Sequence, residues 1–99
     1  MTATLPPVHP GEILREEFLA PLGLSVDAVA EATRLPRSRI ERLTREEADL
    51  TPDMALRLAR YFGTSAEFWL NLQTAFALAK ARDSLGEELN RIKPIRAST

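Results

Sequence analysis

Apolar positions recur at helical spacing in five successive runs, each bounded by proline, glycine or a small hydroxyl residue. In the first run Ile13, Leu14, Glu17, Phe18 and Leu22 fall at i, i+1, i+4, i+5 and i+9 of an amphipathic helix that opens at Pro10, with Phe18 as its main anchor. Pro21 and Gly23 are expected to end it. Ser25 is placed to cap a second helix, Val26 to Thr33, with Asp27 at its positive end and small Ala30 allowing a close crossing. A short turn, Arg34-Leu35-Pro36, leads into a third helix, which holds Ile40 and Leu43 on one side. Thr51 caps a fourth, Pro52 opens it, and Met54, Leu56, Leu58, Ala59 and Phe62 are its apolar set before Gly63. Arg57 and Arg60 are expected to point outward. Thr64-Ser65-Ala66-Glu67 reads as a capping box for a fifth helix carrying Phe68, Trp69, Leu70, Leu72, Phe76 and Leu78.

The fifth helix is apolar nearly all round its first half, the pattern of a helix buried on more than one side. In so small a domain the spare face is expected to meet a second subunit, with Phe68, Trp69, Leu72 and Phe76 shared between core and dimer interface. The alternative is that Trp69 and Phe76 fill one core. Gly86 should break the chain before a short amphipathic piece, Glu87 to Ile92. The fold class is therefore all-α, with an N-terminal arm (1–9), a helical domain (10–83) and a C-terminal extension (84–99).

The third helix carries the chemistry. Residues 34–45 hold five of the thirteen basic residues, Arg34, Arg37, Arg39, Arg42 and Arg45. At 100° per residue Ser38, Arg42 and Arg45 oppose Ile40 and Leu43, with Arg37 and Arg39 on the flanks. A narrow apolar edge under a broad arginine and hydroxyl face suits docking on a core while entering a DNA major groove. A solvated surface helix, with Glu41 pairing Arg37 and Arg45 at i±4, fits the same residues. Two short helices joined by a tight turn resemble a helix-turn-helix, which favours the first reading.

Ninety-nine residues make one domain, and the net charge of −1 is unusual for a DNA binder. The charge is uneven, so a local basic face remains, and an acidic loop, Glu46-Glu47-Ala48-Asp49, follows it. There is no cysteine, no long apolar run and no signal-peptide pattern, which makes a cytoplasmic protein without membrane contact the expectation. His9 is a lone histidine without metal partners and reads as a cap or surface residue. No phosphate-gripping glycine loop or nucleophile-base pair is present, so neither a cofactor, a metal nor an enzymatic activity is expected.

The segments His9-Pro10-Gly11-Glu12-Ile13-Leu14, Pro21-Leu22-Gly23-Leu24-Ser25, Thr51 to Ala59 and, above all, Gly63 to Gln73 resemble the HigA-type antitoxins. These are helix-turn-helix proteins with a phage-repressor-like five-helix fold. The resemblance implies a homodimer that binds operator DNA in its own promoter. It also implies a partner toxin of the HigB type, a RelE-like ribonuclease acting on messenger RNA. Carried over by position, Arg37, Ser38, Arg39 and Arg42 match the fold's DNA-contacting residues, with Arg34 and Arg45 placed to clamp the backbone. This chain has Arg34 where the family has a turn glycine, Val26 where it has a phosphate-binding glutamine, and acids in the loop at 46–49. Such toxins tend to be basic, so Glu12, Glu16, Glu17, Glu46, Glu47 and Asp49 are candidate docking charges, and the N-terminal arm a candidate toxin contact. A stand-alone regulator without a toxin, or a toxin-binding module with weak DNA binding, remain alternatives.

Overall fold

His9 starts the first helix with its own side chain: its Nδ1 accepts the Gly11 N–H at 2.8 Å. In the computed structural model, which describes residues 7–96, all regular structure is helical. Helix α1 comprises Pro10–Ile13, a wide π-helical stretch Leu14–Leu19 and Ala20–Leu22. Then come α2 (Val26–Thr33), α3 (Arg37–Thr44), α4 (Pro52–Phe62) and α5 (Ala66–Leu85), followed by a 3-10 segment, Gly86–Arg91. This is the five-helix order read from the sequence. Residues 1–6 of the expected arm lie outside the described residues, and His9, assigned to that arm, is buried against the domain.

Pro21 does not end α1. It lies inside the last turn, and Gly23, at φ 64°, closes the helix. A proline has no N–H for the carbonyl four residues back and its ring crowds that carbonyl. The turn ahead of it is the one that widens, with the Ala20 N–H reaching back to the Arg15 carbonyl. Ser25 and Thr51 cap α2 and α4 as expected, accepting the Ala28 and Met54 N–H groups. The α5 cap is one residue later than the capping box implies: Ser65 accepts the Phe68 N–H. Thr64 instead accepts the Trp69 indole N–H at 2.8 Å.

That indole is the centre of the core. Trp69, Leu14, Val29, Ile40, Leu43, Met54 and Leu58 are almost wholly buried. Phe18 does act as an anchor, with its ring 5.1 Å from Trp69 and 4.8 Å from Phe62. Two apolar residues are not where the pattern put them. Leu22 is 60% exposed, and Leu56 is 63% exposed because α4 buries the stripe Met54-Ala55-Leu58-Ala59 and Leu56 lies beyond its edge. The far end of α5 and the 3-10 segment are exposed throughout, so the chain extends 52 Å along its longest axis but only 26 and 22 Å across.

Candidate nucleic-acid interface

α3 is gripped at both ends. Ile40 and Leu43 sink fully into the core and Thr44 is buried beside them. At the C-terminal end α1 comes so close that a Cβ on Gly11 would overlap the Leu43 carbonyl. Arg15, one helical turn further on, donates to the Thr44 carbonyl and to Glu46 at 3.2 Å. A guanidinium there neutralises the negative end of α3 and satisfies a carbonyl the helix leaves unpaired. Its bonds to Glu16 and Glu46 outweigh the cost of burial and hold Arg15 above its ordinary pKa.

At the N-terminal end the α2–α3 turn is left-handed. Arg34 sits at φ 61°, ψ 35°, its N–H bonds the Glu31 carbonyl, and the buried Leu35 bonds back to Ala30. For a residue other than glycine this conformation costs on the order of 1 kcal/mol. Arg57, expected outward, turns back instead: it donates to the Thr33 carbonyl at 2.9 Å and to the Arg34 carbonyl at 3.3 Å, and pairs with Asp53.

Between these two grips α3 presents Arg37, Ser38, Arg39, Arg42 and Arg45 to solvent, and Arg34 is exposed at the turn. The structure thus gathers all six expected residues around one exposed helix. The surface pairing foreseen for Glu41 is also present: its carboxylate takes Arg37 and Arg45, both at 3.0 Å. Arg37 is further paired with Asp27 of α2. Asp27 first, then Glu41, raises the Arg37 pKa. Arg42 reaches the Glu47 carbonyl at 3.4 Å. Among the described residues, the Ser38, Arg39 and Arg34 side chains have no hydrogen-bonding partner within the chain.

The acidic loop is an ordered structure. Glu46 takes φ 61° and turns to Arg15. Gln73 of α5 accepts the Leu50 N–H at 2.7 Å and donates to Asp49 at 3.4 Å. Behind the loop lies an open groove of about 370 Å³, with Glu46, Glu47 and Asp49 on one side and Phe76, Ala77 and Lys80 on the other. His9 lies edge-on to Phe76, ring centres 4.7 Å apart. Burial pushes its pKa below the usual histidine value, against the opposing pull of Glu46, Asp49 and the Ala48 backbone.

Of the four residues expected at a dimer interface, Trp69 is wholly buried inside its own chain and has no surface to offer. Phe76 and Leu72 are half-buried, and Phe68 is 39% exposed while its ring meets Trp69 in a T-shaped pair. Arg15, Gly11, Gln73 and Arg57 were not foreseen in these roles. Gly11 and Gln73 lie within the segments that carry the family resemblance, and only Asp53 at i−4 marks Arg57 in the sequence. Among the described residues no cluster of three or more His, Asp or Glu could hold a metal, and no helix is long and apolar enough to cross a membrane.

A helix-turn-helix family profile matches residues 14–69, which span α2, its turn and α3. Virulence-associated protein I of Dichelobacter nodosus is 50% identical over 91 residues, covering 92% of this chain and 83% of that protein. Antitoxin HigA-1 of Vibrio cholerae is 39% identical over 92 residues, covering 93% and 87%. The chain belongs to the HigA family of helix-turn-helix antitoxins. A solved structure of the Pseudomonas aeruginosa antitoxin HigA with the higBA promoter superposes on this HigA-family chain with a TM-score of 0.87. It is 43% identical and covers 91% of this chain and 99% of that one. The likeness spans α1 and α5 as well as the helix-turn-helix, so the whole five-helix frame is the family's.

Proposed function

We propose that this chain is an autoregulatory antitoxin: as a cytoplasmic homodimer it binds operator DNA upstream of its own coding sequence and neutralises a HigB/RelE-like toxin. It does no chemistry of its own. One observation carries the DNA role. Ile40 and Leu43 lock α3 into the core while its exposed sides offer arginines and a serine to solvent, with Glu41 the one acid among them. Arg42 and Ser38 would read base edges, Arg37 and Arg39 would read bases or grip phosphate, and Arg34 and Arg45 would clamp the backbone. A two-fold dimer would set the two α3 helices roughly 34 Å apart on one DNA face. The exposed part of Phe68, with Leu72 and Phe76, remains the proposed contact between subunits.

For the toxin, the exposed carboxylates of the acidic loop, Glu46, Glu47 and Asp49, support docking there, since they suit the basic surface of an RNA-cleaving enzyme. A mobility shift across a salt series, on the DNA immediately upstream of the gene and on mixed-sequence DNA, tests the DNA role. Specific binding that weakens steeply with salt is expected. Binding no tighter than to mixed-sequence DNA would defeat it. Arg42→Ala should cost about 1–3 kcal/mol of operator affinity and relax sequence choice. Equal binding by variant and parent would remove Arg42 from the reading face. Toxin inhibition should survive loss of Arg37, Arg39 and Arg42 together, which separates the two roles.

A further inference from the structure

We propose that Arg57 is a positioning residue for DNA reading: from α4 it locks the left-handed turn that decides where the arginine face of α3 stands. One terminal nitrogen of the guanidinium, Nη1, donates to two successive carbonyls, Thr33 at 2.9 Å and Arg34 at 3.3 Å, while Nε faces Asp53. Both belong to the C-terminal end of α2, where a helix leaves carbonyls unpaired and favours a positive charge. Asp53, one turn earlier on α4, pairs with the guanidinium and aims it. Thr33 is itself buried, its hydroxyl bonded to the Val29 carbonyl at 2.7 Å, so the guanidinium grips an end of α2 that is already rigid.

The need for the clamp comes from Arg34. Glycine enters the left-handed region without steric penalty, whereas an arginine must be held there by its surroundings. Leu35 plugs the core from one side of the turn, and Arg57 ties down the carbonyls from the other. The residues that follow at once are Pro36 and then Arg37, the first of α3. A small rotation at Arg34 therefore swings Arg37, Ser38 and Arg39 together. Arg57 acts through the turn and not on phosphate.

This inference rests on the DNA-reading role of α3, and its test includes a readout that needs no DNA. Arg57→Gln should weaken binding to the upstream DNA by about tenfold, the factor that 1.4 kcal/mol makes. The salt slope and the binding to mixed-sequence DNA should stay as in the parent. In an Arg34→Gly background, where the turn needs no restraint, most of that loss should disappear. In the free protein, hydrogen exchange at the Arg34 and Leu35 amides should quicken in Arg57→Gln while the buried Leu58 amide is unchanged. A salt slope lower by about one would make Arg57 a phosphate contact and overturn the proposal. So would parental operator affinity, an equal loss in both backgrounds, or unchanged exchange at the turn. Should Arg57→Gln fail to melt cooperatively, Arg57→Lys replaces it. It keeps the charge, but its compact ammonium lacks the two separate nitrogens that meet Asp53 and the carbonyls at once. Parental operator affinity in that variant would overturn the proposal equally.

Discussion

Glu41 holds two of the arginines meant for DNA, yet it is the only acid between Arg34 and Arg45. Its pairs with Arg37 and Arg45 are exposed i,i+4 contacts, which contribute little to stability. Their effect on binding is larger, because a carboxylate on the reading face repels phosphate and must share its arginines. Glu41→Gln is expected to tighten binding to mixed-sequence DNA and steepen its salt dependence while leaving the melting temperature nearly unchanged; titration of both proteins at several salt concentrations would check it. His9 gives a second test at this scale. Its proton acceptor, Nδ1, is used by the Gly11 N–H, and burial lowers its pKa below 6.5. The unfolded chain therefore takes up the proton first, so the stability His9 contributes is complete above about pH 6.5 and is lost as pH falls through its lowered folded value. Between pH 7 and 5 the parent should lose more stability than His9→Asn, which keeps a capping acceptor that does not titrate. Urea titrations at both pH values compare the slopes, and equal slopes would remove His9 as the cause.

Among the elements, the α1–α3 crossing decides whether the reading helix has a firm base. The two backbones touch at Gly11 and Leu43, and Arg15 bridges the same two helices one turn along. A methyl group at Gly11 has nowhere to go, since what it meets is backbone and not a flexible side chain. Gly11→Ala should cost about 1–3 kcal/mol, as overpacking does. Fluorescence of Trp69, the one tryptophan, would follow its urea unfolding. Helix boundaries were largely readable, because caps and stop signals are local: Ser25, Thr51 and Gly63 act where the sequence puts them. Two errors arose where a side chain had a better partner than the expected one. Thr64 gave up the cap to meet the Trp69 indole, and Arg57 turned from solvent to the carbonyls of another helix.

For the whole molecule, the outstanding feature is α5, whose first half closes the core and whose second half leaves it behind. Phe68 is 39% exposed and Leu78 46%, beside a polar side of the helix formed by Glu67, Asn71 and Thr74. This is the surface expected to join two copies, with Trp69 removed from it by burial. Phe68→Glu should give a folded monomer with weakened operator binding. Sedimentation equilibrium alongside a circular dichroism melt would check this, and an unchanged oligomer would move the interface elsewhere.

The order of five helices, their caps, the apolar edge of α3 and its arginine face follow from spacing and residue type, since a helix exposes its sides by a fixed rotation per residue. So does the Glu41 pairing, which spans one turn of a single helix. Contacts between elements could not be read this way. That Arg34 is held left-handed by Arg57, that Gly11 rests on Leu43, and that Gln73 pins the acidic loop each depend on residues 23 to 32 positions apart. Those partners meet only when the helices pack, because core volume and unpaired backbone groups, and not local periodicity, choose which distant side chain fits.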